Sequence, residues 1–157
     1  MNVLLTFNKW KNNNFTSIYE RSPISNRFVF SQLQYDSGCM QDIELKMFER
    51  VYDKLAWTPD VIIYIRTDPE VSMARMQARA RKCEDAVPLE YIKSVHDKYE
   101  EILNDNSYDD NQSFNYLDNK YVTCDKKACR VIHVDGNKSV EEVFQDVKAW
   151  VESYMDC

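Results

Sequence analysis

The sequence predicts an α/β domain with a parallel sheet flanked by helices. Residues 61–65, Val-Ile-Ile-Tyr-Ile, are a short, apolar, β-branched run of the kind that forms a strand buried on both faces. A second such run, residues 131–134, precedes a turn and a capped helix. Between and around these runs lie longer segments with apolar residues at helical spacing, and buried strands alternating with helices define the α/β class.

Taken in order, residues 2–11 are apolar enough for a short helix, ended by Asn12, Asn13 and Asn14. Residues 16–19 predict a strand that delivers Glu20 to its carboxyl end. Ser22 and Pro23 suit the N-cap and first turn of a helix to about residue 35, with Ile24, Phe28 and Leu33 on its apolar side; Asp36, Ser37 and Gly38 break it. A helix over residues 40–56 carries Met40, Ile43, Met47, Val51 and Leu55 as an apolar stripe. After the 61–65 strand, Asp68 and Pro69 are N-cap and first helical residue of the next helix. On it Arg75 and Arg79 share a face, and Arg81 joins them if the helix ends near Ala80. Glu84 follows. Pro88 opens a helix to about residue 103 with Leu89, Ile92, Val95, Tyr99 and Ile102 inward. Residues 104–127 are polar, acidic and rich in Asn and Asp, which predicts a long exposed loop. The strand at 131–134 ends in the turn Asp135-Gly136-Asn137. Ser139 with Glu142 is a capping-box pattern, and the helix it starts is expected to bury Val140, Val143, Phe144, Val147, Val151 and Tyr154.

The 157 residues suffice for one domain, and no repeat or second domain is visible. A formal net charge of −6 argues against a nucleic-acid or membrane-surface binder, which needs a basic face, but allows a small anion held by local arginines. No run has the length of a membrane span, and the N-terminus lacks the features of a signal peptide. The five cysteines are scattered, fit no common zinc spacing and suit reduced thiols. His96 and His133 are isolated, and Trp10, Trp57 and Trp150 are assigned to packing.

The chemistry lies in the arginines. Guanidinium forks match phosphate oxygens, and phosphoryl transfer is catalysed largely by positioning and charge stabilisation. An arginine-rich helix is more often a solvated basic face. Here the cluster comes with a buried strand before it and an acid and a proline-started helix after it. Arg66 and Lys82 fit either reading.

That order, together with Glu20-Arg21-Ser22 and Ser25-Asn26-Arg27-Phe28-Val29-Phe30 upstream and Val87-Pro88-Leu89-Glu90-Tyr91 downstream, resembles the deoxynucleoside kinases of the cellular type. The resemblance runs from about Val3 to the C-terminus. It implies a sheet like that of the P-loop kinases and an enzyme that moves the γ-phosphate of ATP, with Mg²⁺, to the 5′-hydroxyl of a deoxynucleoside. It implies Glu20 as a carboxylate near Mg²⁺ and Arg21 as a group near the reacting hydroxyl. Arg75, Arg79 and Arg81 correspond to the catalytic lid that contacts ATP phosphates. Asn26 and Phe30 correspond to positions that touch the base, and Glu84 to the acid that binds the sugar 3′-hydroxyl. Asn137, Lys138, Ser139 and Val140 correspond to the loop bordering the adenine. The family usually has Asp or Ala where this chain has Asn26, which leaves the base preference open. A homodimer in the cytoplasm is implied, with mitochondrial or nuclear placement also compatible and no nucleic-acid or membrane partner.

One feature of the family is missing. The chain has two glycines, Gly38 and Gly136, so it contains no G-x-x-x-x-G-K-[ST] phosphate loop, and no candidate for the family's catalytic base is evident. By resemblance the first two strands are absent, including the phosphate-loop strand that lies between the strand ending at Glu20 and the 61–65 strand. A gap or an abnormal closure of the sheet is expected there. Two alternatives stay open: a thymidylate-type nucleoside monophosphate kinase, and a non-catalytic remnant that pairs with a full-length kinase.

Overall fold

Residues 3–10, 15–57, 59–84, 86–103 and 130–155 are described by the computed structural model. Its sheet has four strands, β1 (Val3–Trp10), β2 (Phe15–Glu20), β3 (Val61–Arg66) and β4 (Arg130–Asp135), in the order β2-β1-β3-β4. Strand β3 forms as the sequence predicts, and its alternating side chains serve two cores. Ile62 and Tyr64, both fully buried, join Ile24, Val29, Val95, Tyr99, Ile102, Leu103 and Val131 on one face. Val61 and Ile63 join Val134 on the other, against Val147, Val151 and Tyr154. Each such side chain removed from water contributes about 1.5–3 kcal/mol, so β3 anchors both layers.

The helices are α1 (Ser31–Asp36), α2 (Asp42–Leu55), α3 (Pro69–Arg79), α4 (Leu89–Leu103) and α5 (Val140–Met155). A π-helical segment, Ser25–Phe30, leads into α1, and the Ser31 amide closes on the Asn26 carbonyl five residues back. This segment and α4 cover one face of the sheet, and α5 covers the other. Asp68 and Pro69 start α3 as expected. The capping box of α5 is present: the Ser139 amide donates to Glu142 Oε2 at 3.0 Å and the Glu142 amide to Ser139 Oγ at 3.3 Å.

Three expectations are corrected. Residues 3–10 form a strand and not a helix. The stretch Val-Leu-Leu-Thr-Phe suits either state by propensity, and long-range pairing decides. Strand β1 lies antiparallel to both β2 and β3, so the sheet is mixed, and the slot between them shows the abnormal closure, not the gap, of the two outcomes expected there. Leu5 pairs with Glu20 on one side and Ile63 on the other. Without β1, buried β3 would have unpaired backbone groups on that side at about 1–3 kcal/mol each. Second, the apolar stripe of α2 is not buried: Ile43, Met47, Val51 and Leu55 are 60, 62, 54 and 76% exposed. Helix α2 is held instead by its other side, through Tyr52 edge-on to Phe28 at 5.6 Å and the Arg27–Glu49 ion pair. Third, Val140 and Phe144 of α5 are exposed, while Val143, Val147, Trp150, Val151 and Tyr154 pack inward. The predicted loop at 104–127 lies outside the described residues.

Two successive antiparallel pairings restore direction, so β2 runs the same way as β3, and β3 is parallel to β4. Glu20, Arg66 and Asp135 therefore end at one edge of the sheet. The β3–β4 register continues one step further, where the Gly136 amide donates to the Arg66 carbonyl at 2.7 Å. A Cβ on Gly136 would lie 2.2 Å from Thr67 Oγ1 and 2.7 Å from the Arg66 carbonyl oxygen. Gly136→Ala should therefore destabilise the protein by about 1–3 kcal/mol, the cost of overpacking a closed contact. A urea melt unchanged from wild type would disprove this close approach.

Candidate functional site

The carboxyl edge of the sheet, where open α/β folds bind ligands, carries a cavity of about 320 Å³. Helices α3 and α4 wall it with the π-helical segment, and its lining includes Phe30, Arg75, Arg79, Glu84, Tyr91 and Tyr99. The Ser72 hydroxyl is buried at this wall and has no hydrogen-bond partner among the described residues. An orphaned buried hydroxyl costs about 1–3 kcal/mol, a deficit that a polar ligand would remove.

Phe30 lies edge-on to Tyr99, with ring centroids 6.5 Å apart, and the Arg21 guanidinium carbon sits 4.8 Å over its ring. Arg21 has φ of 68°. A left-handed backbone costs a non-glycine residue about 1–2 kcal/mol, and such strain concentrates at functional sites. Nothing in the sequence signals it, since Gly or Asn would be the residues expected in that conformation. Burial raises the Tyr99 hydroxyl above its ordinary range. Glu20 is exposed at the end of β2, and Asn26 is exposed on the π-helical segment.

Helix α3 ends where the sequence requires it to end. Ala80 adopts φ 50°, ψ 45° at its C-cap, which turns the chain so that Arg81 falls beside Arg79. Both guanidiniums meet one carboxylate. Arg79 Nη2 donates to both Glu84 oxygens at 2.7 Å, and Arg81 Nη1 lies 3.7 Å from Glu84 Oε1.

Arg75 does something different. Its Nη1 donates to the Gly136 carbonyl at 2.6 Å, and its Nη2 to the carbonyls of Asn137 and Lys138 at 3.3 and 2.7 Å. Asn137 and Asp68 exchange two further bonds: the Asp68 amide donates to Asn137 Oδ1 at 2.9 Å, and Asn137 Nδ2 donates to Asp68 Oδ2 at 3.1 Å. The β4–α5 turn is thereby fixed to the start of α3. Lys138 is drawn away to Asp146 at 2.8 Å, and Ser139 serves the helix cap. Val140 is open to solvent beside this turn. The sequence placed Arg75 with the other lid arginines and gave no sign of its bonds to the turn.

Arg66 belongs to the framework. Its Nε donates to both Glu100 oxygens at 3.1 and 3.2 Å and its Nη1 to Asp68 at 3.1 Å, while the Tyr64 hydroxyl donates to Glu100 at 2.8 Å. Burial pushes the Glu100 carboxyl up, but the Tyr64 and Arg66 hydrogen bonds outweigh it and hold the group below its ordinary value. Burial, then the bond to Glu100, push the Tyr64 hydroxyl up. No group of three or more His, Cys, Asp or Glu side chains among the described residues has a metal-binding arrangement. No helix among them is long and apolar enough to cross a membrane.

The fold is that of an α/β protein with a cavity and an arginine cluster at the carboxyl edge of its sheet. A family model for deoxynucleoside kinases matches residues 1–156, and the chain belongs to that family. It is 30% identical to a putative kinase, 029R, of Invertebrate iridescent virus 3 over 136 residues, covering 82% of this chain and 70% of the viral protein. It is 26% identical to human deoxycytidine kinase over 143 residues, 87% of this chain and 51% of that enzyme. It is 34% identical to human mitochondrial thymidine kinase 2 over 90 residues, 55% of this chain and 34% of that enzyme. The structure of a deoxyadenosine kinase from M. mycoides with bound dCTP superposes with a TM-score of 0.60 at 18% identity, covering 83% of this chain and 60% of that one. The chain thus spans about a third to a half of the human kinases it matches.

Because Glu100 titrates lower in the folded protein, its stabilisation is full above its unfolded value and lost as pH falls through the folded one. Glu100→Gln should cost about 1–3 kcal/mol at pH 7, with the gap from wild type narrowing as pH falls below 4.5, the ordinary value of the group. Paired denaturant melts across pH 3–7 measure this. A gap that persists undiminished to pH 3 would disprove the charged role.

Proposed function

We propose that this chain forms the deoxynucleoside-binding and lid portion of a deoxynucleoside kinase, whose reaction moves the γ-phosphate of ATP to the 5′-hydroxyl of a deoxynucleoside. The observation that carries the reading is the cavity at the carboxyl edge, walled by Phe30, Arg79, Glu84 and Tyr91. Phe30 offers an aromatic face to a base, with Asn26 a turn away supplying both a donor and an acceptor. Glu84 accepts from a sugar hydroxyl. Arg79 and Arg81 neutralise charge on the migrating phosphoryl group, and Arg21 attends the 5′-hydroxyl. The turn of Asn137, Lys138, Ser139 and Val140 borders the adenine of ATP, and Arg75 reaches it from α3. Mg²⁺ commonly takes one or two carboxylates plus phosphates and water. Exposed Glu20 fits as one such ligand, and the ion would neutralise phosphate charge. The cytoplasm is the proposed location.

The chain contains no phosphate loop, so magnesium-ATP should give no turnover above background with these 157 residues alone. Deoxynucleoside binding is the direct test. Titration calorimetry of the full chain with each of the four deoxynucleosides should detect binding to at least one. Phe30→Ala should weaken it about tenfold, the loss of one base-stacking contact. Absence of binding by all four would overturn the reading.

The exposed stripe of α2 supports a homodimer. Ile43, Met47, Val51 and Leu55 recur every four residues along one side of the helix, and a second copy offers the same stripe in return. Met47→Glu should convert a dimer to a monomer in light scattering without loss of helical signal. A wild-type protein that is monomeric at high concentration would exclude this interface.

A further inference from the structure

Glu84 holds both arginines of the hinge. Its two oxygens accept from Arg79 at 2.7 Å, and Arg81 approaches at 3.7 Å. The Glu84 side chain is 21% exposed, against 44% for Arg79 and 62% for Arg81, so the acid is the inner, fixed partner and the arginines are the outer ones. Glu84 and Arg79 line the same cavity. Behind the hinge lies a second cleft of about 200 Å³, lined by Met73, Met76, Gln77, Ala80, Glu84 and Val87. The hinge residue Ala80 sits in the left-handed region with φ 50°, an unfavoured conformation for a residue with a Cβ. The hinge is thus strained, backed by open space and tied down by one ion-paired carboxylate.

We propose that Glu84 is a latch that couples two ligands in this cavity. An oligophosphate that takes the guanidiniums of Arg79 and Arg81 must first break their pairing with Glu84. The released carboxylate then has free acceptor oxygens facing the cavity, where a hydroxyl of a second ligand can donate to them. In the reverse order, a hydroxyl bound by Glu84 competes with Arg79 for the same oxygens and frees the guanidinium for phosphate. Each ligand removes a cost that the other would otherwise bear, so the two bind with positive cooperativity, and linkage makes the effect reciprocal. The identity of the two ligands as a phosphate chain and a deoxynucleoside rests on the function proposed above; the latch itself rests on the Arg79–Glu84–Arg81 geometry.

The test uses the full chain, with tripolyphosphate as the anion and a deoxynucleoside that binds as the hydroxyl ligand, in calorimetric titrations at constant ionic strength. Saturating tripolyphosphate should tighten deoxynucleoside binding by about three- to fivefold, the range that a half-exposed ion pair supports. Glu84→Gln and Glu84→Ala should each bind tripolyphosphate more tightly than wild type, and in both the cooperativity should vanish. Arg79→Ala should lose tripolyphosphate affinity and cooperativity together. Circular dichroism melts establish that each variant folds, and the conservative Gln variant keeps the test open if Ala does not. Tighter anion binding by the Glu84 variants alone could reflect the lost negative charge, so the cooperativity decides. Independent binding of the two ligands to wild type overturns the latch and leaves the kinase reading standing. Failure of every deoxynucleoside to bind overturns that reading, and the latch then stands only if hydroxyl-rich glycerol shows the same coupling to tripolyphosphate. Failure of tripolyphosphate to bind either wild type or the Glu84 variants overturns the latch outright.

Discussion

The carboxyl edge depends on the parallel pairing of β3 with β4. That register runs from Val61 opposite Arg130 to Arg66 opposite Asp135, and the Gly136 amide extends it by one more bond to the Arg66 carbonyl. The extra step brings the backbone at Gly136 against Thr67, a contact only a residue without a side chain can make. With Gly136 fixed, its carbonyl and the next two point at Arg75, and Asn137 reaches Asp68 at the start of α3. The arginine helix is therefore aimed from its first residue by a strand pairing, and its far end carries Arg79 to the cavity.

A protein of net charge −6 concentrates guanidiniums here by satisfying them in three different ways. Arg66 is bound by Glu100 and Asp68 and fixes α4 to the end of β3. Arg75 is bound by three carbonyl dipoles and carries no carboxylate partner in those bonds. Arg79 and Arg81 share Glu84. The order follows the distance from the sheet: the innermost arginine is satisfied by the framework, and the outer two by a single acid at a hinge. Exposed ion pairs are worth only about 0–1 kcal/mol, so the outer pair is the part of the network that an anion can rearrange at low cost.

Much of this was legible in the sequence because it is local. The β-branched run at 61–65, Asp68-Pro69 before α3, the Ser139–Glu142 box and the helical stop that lets Arg81 join Arg79 each follow from neighbours within a few residues. What failed is long-range. Composition alone reads residues 2–11 as a helix, because it suits either state and only pairing with β2 and β3 makes Val3–Trp10 a strand. The stripe of α2 has the periodicity of a core face, yet it is exposed among the described residues; spacing shows that residues share a side and not what lies opposite. The bonds of Arg75 to the turn at 136–138, and the left-handed backbone of Arg21, have no sequence signature, because both arise from how separate elements are brought together.

The placement of β1 bears most directly on the chemistry. The family resemblance implies a phosphate-loop strand between β2 and β3, running parallel to both and ending in a loop at the carboxyl edge. Here that position is held by β1 running the other way, with Val3 opposite Ile65 and Phe7 opposite Val61. A strand in this direction brings its beginning to the ligand edge, so it cannot present a loop after its end there. It does pair the backbone of buried β3, which burial demands, and it adds exposed β2 as the sheet's edge. Strand β1 thus completes the described sheet, while Phe30, Arg79 and Glu84 line the cavity at its carboxyl edge. Under the proposed function the charge of an oligophosphate would be met by side chains, and the hinge at Arg79, Ala80 and Arg81 is where two guanidiniums gather.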